Sequence, residues 1–203
     1  MRVLDTRLPG VKRIEPAVHA DDRGHFLESY QARRYAELLG AQVHFVQDNC
    51  SYSRKGVLRG LHYQVDHPQG KLIRVSQGAI FDVAVDLRPD SATFGQWEGM
   101  VLSAEQYSPQ GGYAASPSQL WIPPGFAHGF LVLSDSATVD YKCTDYYHPE
   151  DEACLRWDDP DLAIAWPQSD PILSDRDRQG DTLRALRQAG RLPVAAASVV
   201  AGA

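Results

Sequence analysis

Cysteine is scarce in this chain. The three present, Cys50, Cys143 and Cys154, are an odd number at wide spacings with no CxxC pair, which removes the paired-thiolate zinc and redox motifs and leaves them as reduced packing residues. Positive charge is short as well. Lys and Arg total 20 against 26 Asp and Glu, a formal net charge of −6, so a nucleic-acid partner, which demands a basic surface, is not expected. An anionic small molecule stays in play, because a few arginines can converge locally on an acidic protein. No hydrophobic run approaches the ~20 residues of a membrane span, and no basic stretch followed by an apolar segment opens the sequence. A soluble, cytoplasmic protein without a membrane partner is therefore expected. Internal repeats and interdomain linkers are also missing. At 203 residues one domain is the natural reading, covering 1–192, with a small, uncharged tail at 193–203 that should fray.

Helix signals are few. One begins near Ser29 as N-cap, carries Tyr35, Leu38 and Leu39 on one face and stops at Gly40; a second lies near Asp181 to Ala189. Short β-branched and aromatic runs between Gly and Pro dominate, the texture of an antiparallel sandwich or barrel. Strands are predicted at Val43–Gln47, Val57–Gln64, Leu72–Ser76, Ile80–Leu87, Trp97–Leu102, Leu120–Ile122, Gly129–Leu133 and Thr138–Cys143. Their order suggests a jelly-roll-like barrel. In Ile80–Leu87 the period of two separates an apolar face (Phe81, Val83, Val85, Leu87) from an acidic one (Asp82, Ala84, Asp86). Gln106 to Ser118 has no periodicity and reads as a surface loop.

Four places carry chemistry. RGLHYQ (59–64) sets a histidine in a strand beside an arginine and a glycine. Such a histidine is more often a hydrogen-bonded core residue than a base, so neighbours must decide. QGK (69–71) delivers Lys71 at a strand start. WIPPGFAHGF (121–130) contains Pro123, Gly125 and His128 in the P-x-G-x-x-H spacing of the second cupin motif, where a turn sends a histidine into the barrel. A metal-binding cupin would also supply two histidines and a carboxylate at close spacing in its first motif. Here Tyr63 and Gln64 follow His62, and His67 sits in a DHPQG turn, so no metal is expected. Tyr141, in VDYKC, shares a face with Val139 and Cys143. Arg23, Arg59 and Arg176 are far apart in sequence, and guanidinium forks of this kind suit a diphosphate.

Taken together, DDRGHFLESY, HFVQDN, VLRGLHYQ, QGKLIRV, FDVAVDLR, FGQW, LSAE, QLWIPPGFAHGFLVLS, YKCTDYYHPEDE, LRWDDPDLAI and LSDRD make the chain resemble the dTDP-4-dehydrorhamnose 3,5-epimerase family along nearly its whole length. The resemblance implies an all-β, cupin-type jelly-roll barrel with a few short peripheral helices, a homodimer, no metal or other cofactor, and a dTDP-linked 4-keto-6-deoxy-sugar as substrate. By position it implies His62 as proton acceptor, Tyr141 as donor, Lys71 near the 4-keto oxygen and Asp177 as the partner of the histidine. It places substrate contacts at Arg23, Glu28, Gln47, Asp48, Asn49, Arg59, His128, Glu152 and Arg176, with Tyr147 as the aromatic that stacks on thymine. At Arg176 the family commonly carries lysine. The loop before Gln119 is longer than the family's usual link, and composition favours a surface role for it. Strict alternation sets Arg59 and His62 on opposite faces, so a bulge, or a strand beginning after Arg59, is required if both serve one site.

A ketone at carbon 4 makes the hydrogens on carbons 3 and 5 removable, and inversion then needs a base, an opposing acid and a partner for the oxyanion. The open alternatives are an enzyme inverting only carbon 3 or 5, a keto-isomerase on a related dTDP-sugar, a non-catalytic nucleotide-sugar-binding cupin, and a metal-dependent cupin oxygenase.

Overall fold

A computed structural model describes residues 1–40, 42–104 and 117–194. Among these the strands are β1 (Arg2–Asp5), β2 (Lys12–Glu15), β3 (Val18–Asp21), β4 (Gly24–Leu27), β5 (Gln47–Arg54), β6 (Leu58–Gln64), β7 (Lys71–Gln77), β8 (Ala79–Asp86), β9 (Trp97–Ser103), β10 (Gln119–Ile122), β11 (Phe126–Val132), β12 (Ser136–Cys143) and β13 (Glu152–Cys154). Helices α1 (Ala32–Leu39), α2 (Asp175–Arg178) and α3 (Leu183–Gln188) are short. A six-stranded sheet runs β1-β2-β10-β7-β12-β5 and a five-stranded sheet β13-β6-β11-β8-β9, with β3-β4 a separate hairpin. Consecutive strands repeatedly switch sheets, as a jelly roll requires, and the expected all-β architecture is the one observed.

Three apolar clusters explain the layering. Between the sheets, Ile73, Val75, Leu120, Ile122, Ala137 and Val139 from one meet Ile80, Ala84, Leu102, Phe126, Phe130 and Val132 from the other. Outside the five-stranded sheet, Leu61, Tyr63, Val83, Val85 and Ala127 are covered by Leu155, Leu162, Leu183 and Leu186 from the C-terminal segment. Outside the six-stranded sheet, Ile14, Leu72 and Trp121 are covered by Tyr35 of α1, with Phe45 packed alongside. At roughly 1.5–3 kcal/mol per buried large apolar side chain, both outer layers are structural.

α1 shows how tertiary contact fixes a local element. Eight residues are too few for a stable isolated helix. Tyr35 anchors it, 1% exposed, its hydroxyl donating to Gln119 Oε1 at 2.5 Å. The N-cap is Gln31 rather than the expected Ser29: the Gln31 side chain accepts from the Arg34 amide at 2.6 Å, while the Ser29 carbonyl accepts from Gln119 Nε2. The second expected helix begins at Leu183 behind a Thr182 cap.

Val43–Gln47 is not a strand. Val43 and Phe45 pack against the outer cluster as irregular chain while Val46 is exposed, and the strand begins at Gln47 and runs to Arg54. Most of the expected loop Gln106 to Ser118 lies outside the described residues; Ser118, at its end, is buried against the start of β10. The tail expected to fray is outside them from residue 195 onward.

The bulge that Arg59 and His62 require is present. In the β11·β6 ladder His128 opposes His62 and Phe130 opposes Arg59, with the register shifting between them, so Gly60 and Leu61 together face one residue, Gly129. Directly opposed antiparallel residues share a face, and Phe130 faces the inter-sheet core; both Arg59 and His62 therefore turn inward. Gly60 permits this with φ at +118°, and a Cβ there would sit 2.6 Å from Gly129 Cα.

Candidate active site

Two walls face each other between the sheets. On the five-stranded wall, β11 presents His128, β6 presents His62 and Arg59, and β8 presents Asp82, which opposes Phe130. On the six-stranded wall, Tyr141 packs against the same inner core as Val139. Lys71 opposes Cys143 and lies one inward step from Ile73, the partner of Tyr141; Asn49 opposes Tyr141 and Gln47 opposes Cys143. The interior is thus apolar at one end and lined by polar and titratable groups at the other.

His62 Nε2 lies 2.6 Å from Asp177 Oδ1, and its Nδ1 is 3.7 Å from Glu152 Oε1. Asp177 is held by the first turn of α2: its amide donates to Ser174 Oγ at 3.1 Å, and Ser174 Oγ donates to Asp177 Oδ2 at 2.8 Å. Burial pushes the Asp177 carboxyl up, but the hydrogen bond and charge of His62, the Ser174 hydroxyl and the Gly60 amide outweigh it, and the group sits below the ordinary carboxylate range. It is an anion shaped to orient an imidazole and support its charged form.

His128 has its own carboxylate. Its Nε2 lies 3.1 and 2.9 Å from the two oxygens of Asp82, which is 0% exposed. Each histidine of the cupin-like pattern is therefore tied to a separate acid. Asp82 was visible in FDVAVDLR as part of an acidic face, but nothing in the spacing showed that this face is the barrel interior.

Tyr141 and Lys71 are both perturbed by enclosure. Burial raises the Tyr141 phenol, with Cys143 and Glu152 adding to the shift and Arg59 opposing it. Burial lowers the Lys71 ammonium, and the neighbouring Cys143, Glu152 and Asp82 pull it back. Glu152 is felt from both walls, so the two sets of groups share one electrostatic environment.

Glu152 also organises the rim. Its Oε2 accepts from the Tyr147 hydroxyl at 2.6 Å and pairs with Arg176 at 2.5 Å. The hydrogen bond to Glu152 raises the Tyr147 phenol. The Tyr147 amide donates to Gln47 Oε1, and Gln47 Nε2 donates to Asn49 Oδ1. Arg59 Nε donates to Ser53 Oγ at 2.8 Å.

Of the residues expected in the site, His62, Asp177, Tyr141, Lys71, Gln47, Asn49, Arg59, His128, Tyr147, Glu152 and Arg176 are gathered at this end of the barrel. Three are not. Asp48 lies on the opposite face of β5, paired with Lys142 at 2.9 Å. Glu28 pairs with Arg34. Arg23 sits at the turn of the β3-β4 hairpin with its side chain 88% exposed, bonded to Asp21. Among the described residues, the side chains grouped closely enough to hold a metal ion are His62, Cys154 and Asp177, whose ligand atoms lie within 4.8 Å of one another. No helix among them is long and apolar enough to cross a membrane.

A jelly-roll barrel whose mouth gathers a carboxylate-held histidine on one wall and a buried tyrosine and lysine on the other is shared with the cupin-type epimerases. The chain belongs to the dTDP-4-dehydrorhamnose 3,5-epimerase family, whose model matches residues 5–185. It is 53% identical to the dTDP-4-dehydrorhamnose 3,5-epimerase of Pseudomonas aeruginosa, over 89% of this chain and 94% of that protein. It is 50% identical to the Escherichia coli K12 enzyme of the same name, over 90% and 95%. Among solved structures, the Legionella pneumophila dTDP-6-deoxy-D-glucose-3,5-epimerase in complex with dTDP-4-keto-L-rhamnose superposes with a TM-score of 0.86 at 50% identity, covering 96% of this chain and 98% of that one.

Proposed function

We propose that this protein inverts carbons 3 and 5 of dTDP-4-dehydro-6-deoxy-D-glucose to give dTDP-4-dehydro-L-rhamnose, through an enolate and by proton transfer alone. The observation that carries the reading is the opposition of the His62–Asp177 pair on one wall to Tyr141 on the other. Half identity to two epimerases of this name, and the ligand of the Legionella structure, support the substrate.

His62 removes the proton next to the ketone, and Asp177 fixes the ring and stabilises the imidazolium. A positioned base of this kind contributes about 100- to 10,000-fold. Charge moves onto the keto oxygen, where Lys71 meets it. Because Lys71 is disfavoured as a cation by burial, it gains most when an anion forms beside it, which is stabilisation specific to the transition state. Tyr141, whose phenol burial keeps protonated, returns a proton from the other face, and that opposition converts exchange into inversion. The ketone is already present, so the chemistry needs no redox partner.

Arg59 and Arg176 hold the diphosphate and Tyr147 stacks on the thymine. Arg23 fits this scheme through a homodimer. The β3-β4 hairpin is a sheet separate from the two barrel sheets and leaves Phe26 71% exposed, which suits a reach to the mouth of a second protomer.

The test is turnover of dTDP-4-dehydro-6-deoxy-D-glucose in heavy water, read by NMR. Deuterium at both carbons 3 and 5 with the L-configured product is expected, and His62→Ala should bind the nucleotide yet lose turnover. Label at one carbon alone would replace double inversion by a mono-epimerase, and full activity in His62→Ala would remove the base.

A further inference from the structure

The mechanism leaves Cys154 without a task, although it stands beside the base. Cys154 directly opposes His62 in the β13·β6 ladder, so both side chains project from the same face. Asp177 arrives from α2, and the Cys154 sulfur, a ring nitrogen of His62 and a carboxylate oxygen of Asp177 fall within 4.8 Å of one another. Three elements distant in sequence thus bring one sulfur, one nitrogen and one oxygen to a point.

We propose that His62, Cys154 and Asp177 form a binding site for a thiophilic divalent cation, Zn2+ or Cd2+ in chemical class, and that its occupation switches the enzyme off. Inhibition rests on the reading of His62 as the base; binding does not.

The donor set selects the ion. Thiolate with imidazole and carboxylate suits zinc and its softer relatives, whereas Mg2+ and Ca2+ take oxygen ligands and gain nothing from sulfur. The thiol has only a weak competing partner, since among the described residues its hydrogen bond is a long 3.9 Å contact to the Leu155 carbonyl; burial pushes its pKa up to about 12, so its proton leaves only when the cation's charge stands beside it. It is also held in place: a Cβ on Gly180 would approach the Cys154 sulfur to 3.2 Å, so the α2–α3 connection closes over it without crowding it. Of the three ligands, Cys154 borders a cavity of about 510 Å³ together with Glu152, Arg176 and Asp181, and His62 keeps 28% side-chain exposure.

Occupation and catalysis exclude each other. The His62–Asp177 contact of 2.6 Å has room for a proton. A tetrahedral ion bonded to both at about 2.1 Å sets its ligands ~3.4 Å apart, so the ion must part the pair, shift the ring proton to Nδ1 and release the thiol proton to solvent. Coordinated through Nε2, the neutral imidazole carries its one proton on Nδ1, so the Nδ1 lone pair that would remove a substrate proton is no longer available.

Two measurements on the purified full chain test this. Titration with Co2+ as a spectroscopic probe should give one equivalent of binding with a thiolate-to-cobalt charge-transfer band, and Zn2+ should abolish turnover in a manner reversed by EDTA and not reproduced by Mg2+. Cys154→Ala should keep its basal turnover and its melting temperature, lose the charge-transfer band, and require at least roughly tenfold more Zn2+ for inhibition, the loss that even an outer-shell partner produces. A band that persists in Cys154→Ala, which would assign it to Cys50 or Cys143, overturns the site. So does Zn2+ inhibition that is equal in the two proteins, or wild-type protein that binds no Co2+ at all. If the wild type shows no epimerase activity, the Co2+ spectra still decide the binding claim, so the two failures are distinguishable.

Discussion

Replacing Asp177 by Asn isolates the electrostatic half of the dyad. The amide is nearly isosteric, so packing under α2 and the Ser174 contact at the capping position are retained in outline, while the charge 2.6 Å from His62 Nε2 is removed. With charge centres about 4 Å apart and an effective dielectric near 20, the attraction between carboxylate and imidazolium is about 4 kcal/mol. His62 retains 28% side-chain exposure against 5% for Asp177, and solvent on the imidazole side screens part of this, leaving roughly 2–4 kcal/mol. That support exists only once His62 has taken the proton, so it belongs to the transition state and should fall on kcat, by about 30- to 1000-fold. The assay is initial-rate kinetics on the dTDP-4-keto-sugar beside the rate of deuterium uptake at carbon 3. A variant within threefold of wild type in kcat, or one that changes KM alone, would refute the role given to the carboxylate.

Two further outcomes follow from the same structure. Gly60→Ala places a Cβ 2.6 Å from Gly129 Cα at a φ of +118°; strain and overpacking should cost about 2–4 kcal/mol, lowering Tm by roughly 5–15 °C and abolishing turnover because Arg59 and His62 lose their common face. An unchanged Tm by calorimetry would show that the bulge does not need glycine. The carboxyl of Asp177 is depressed in the folded state, so its stabilising share is complete above its unfolded value of about 3.9 and is lost as pH falls through the lower native value. Melting curves of wild type and Asp177→Asn should therefore differ above that pH and converge in stronger acid; a gap that widens toward low pH would contradict the shift.

The sequence carried the barrel and most of its mouth, and the reasons for the misses are physical. β8, β10 and β11 were found because their residues are apolar or β-branched. Their faces were harder to assign, since both sheets are covered on both sides and β11 is buried at every position, which erases alternation. β5 was displaced by half its length for the opposite reason: QDNCSYSR turns polar residues into a polar cavity, and a hydrophobic pattern has nothing to mark there, whereas Val43 and Phe45 beside it are apolar without being a strand. The strands β1 to β4 and β13 are three or four residues long, and four-residue α2 is held by its Ser174 cap, lengths at which periodicity cannot speak. Asp82 is the instructive case. Its acidic face was legible, but which side of the strand is interior depends on the partner strand, and only the β11·β8 register supplies that.

Inversion depends most directly on Tyr141 as the acid that faces His62. Tyr141→Phe, assayed in heavy water with product configuration read by NMR, should still exchange the proton at carbon 3 while inversion falls by at least tenfold relative to exchange. Equal loss of exchange and inversion, or L-configured product formed at the wild-type rate, would contradict it.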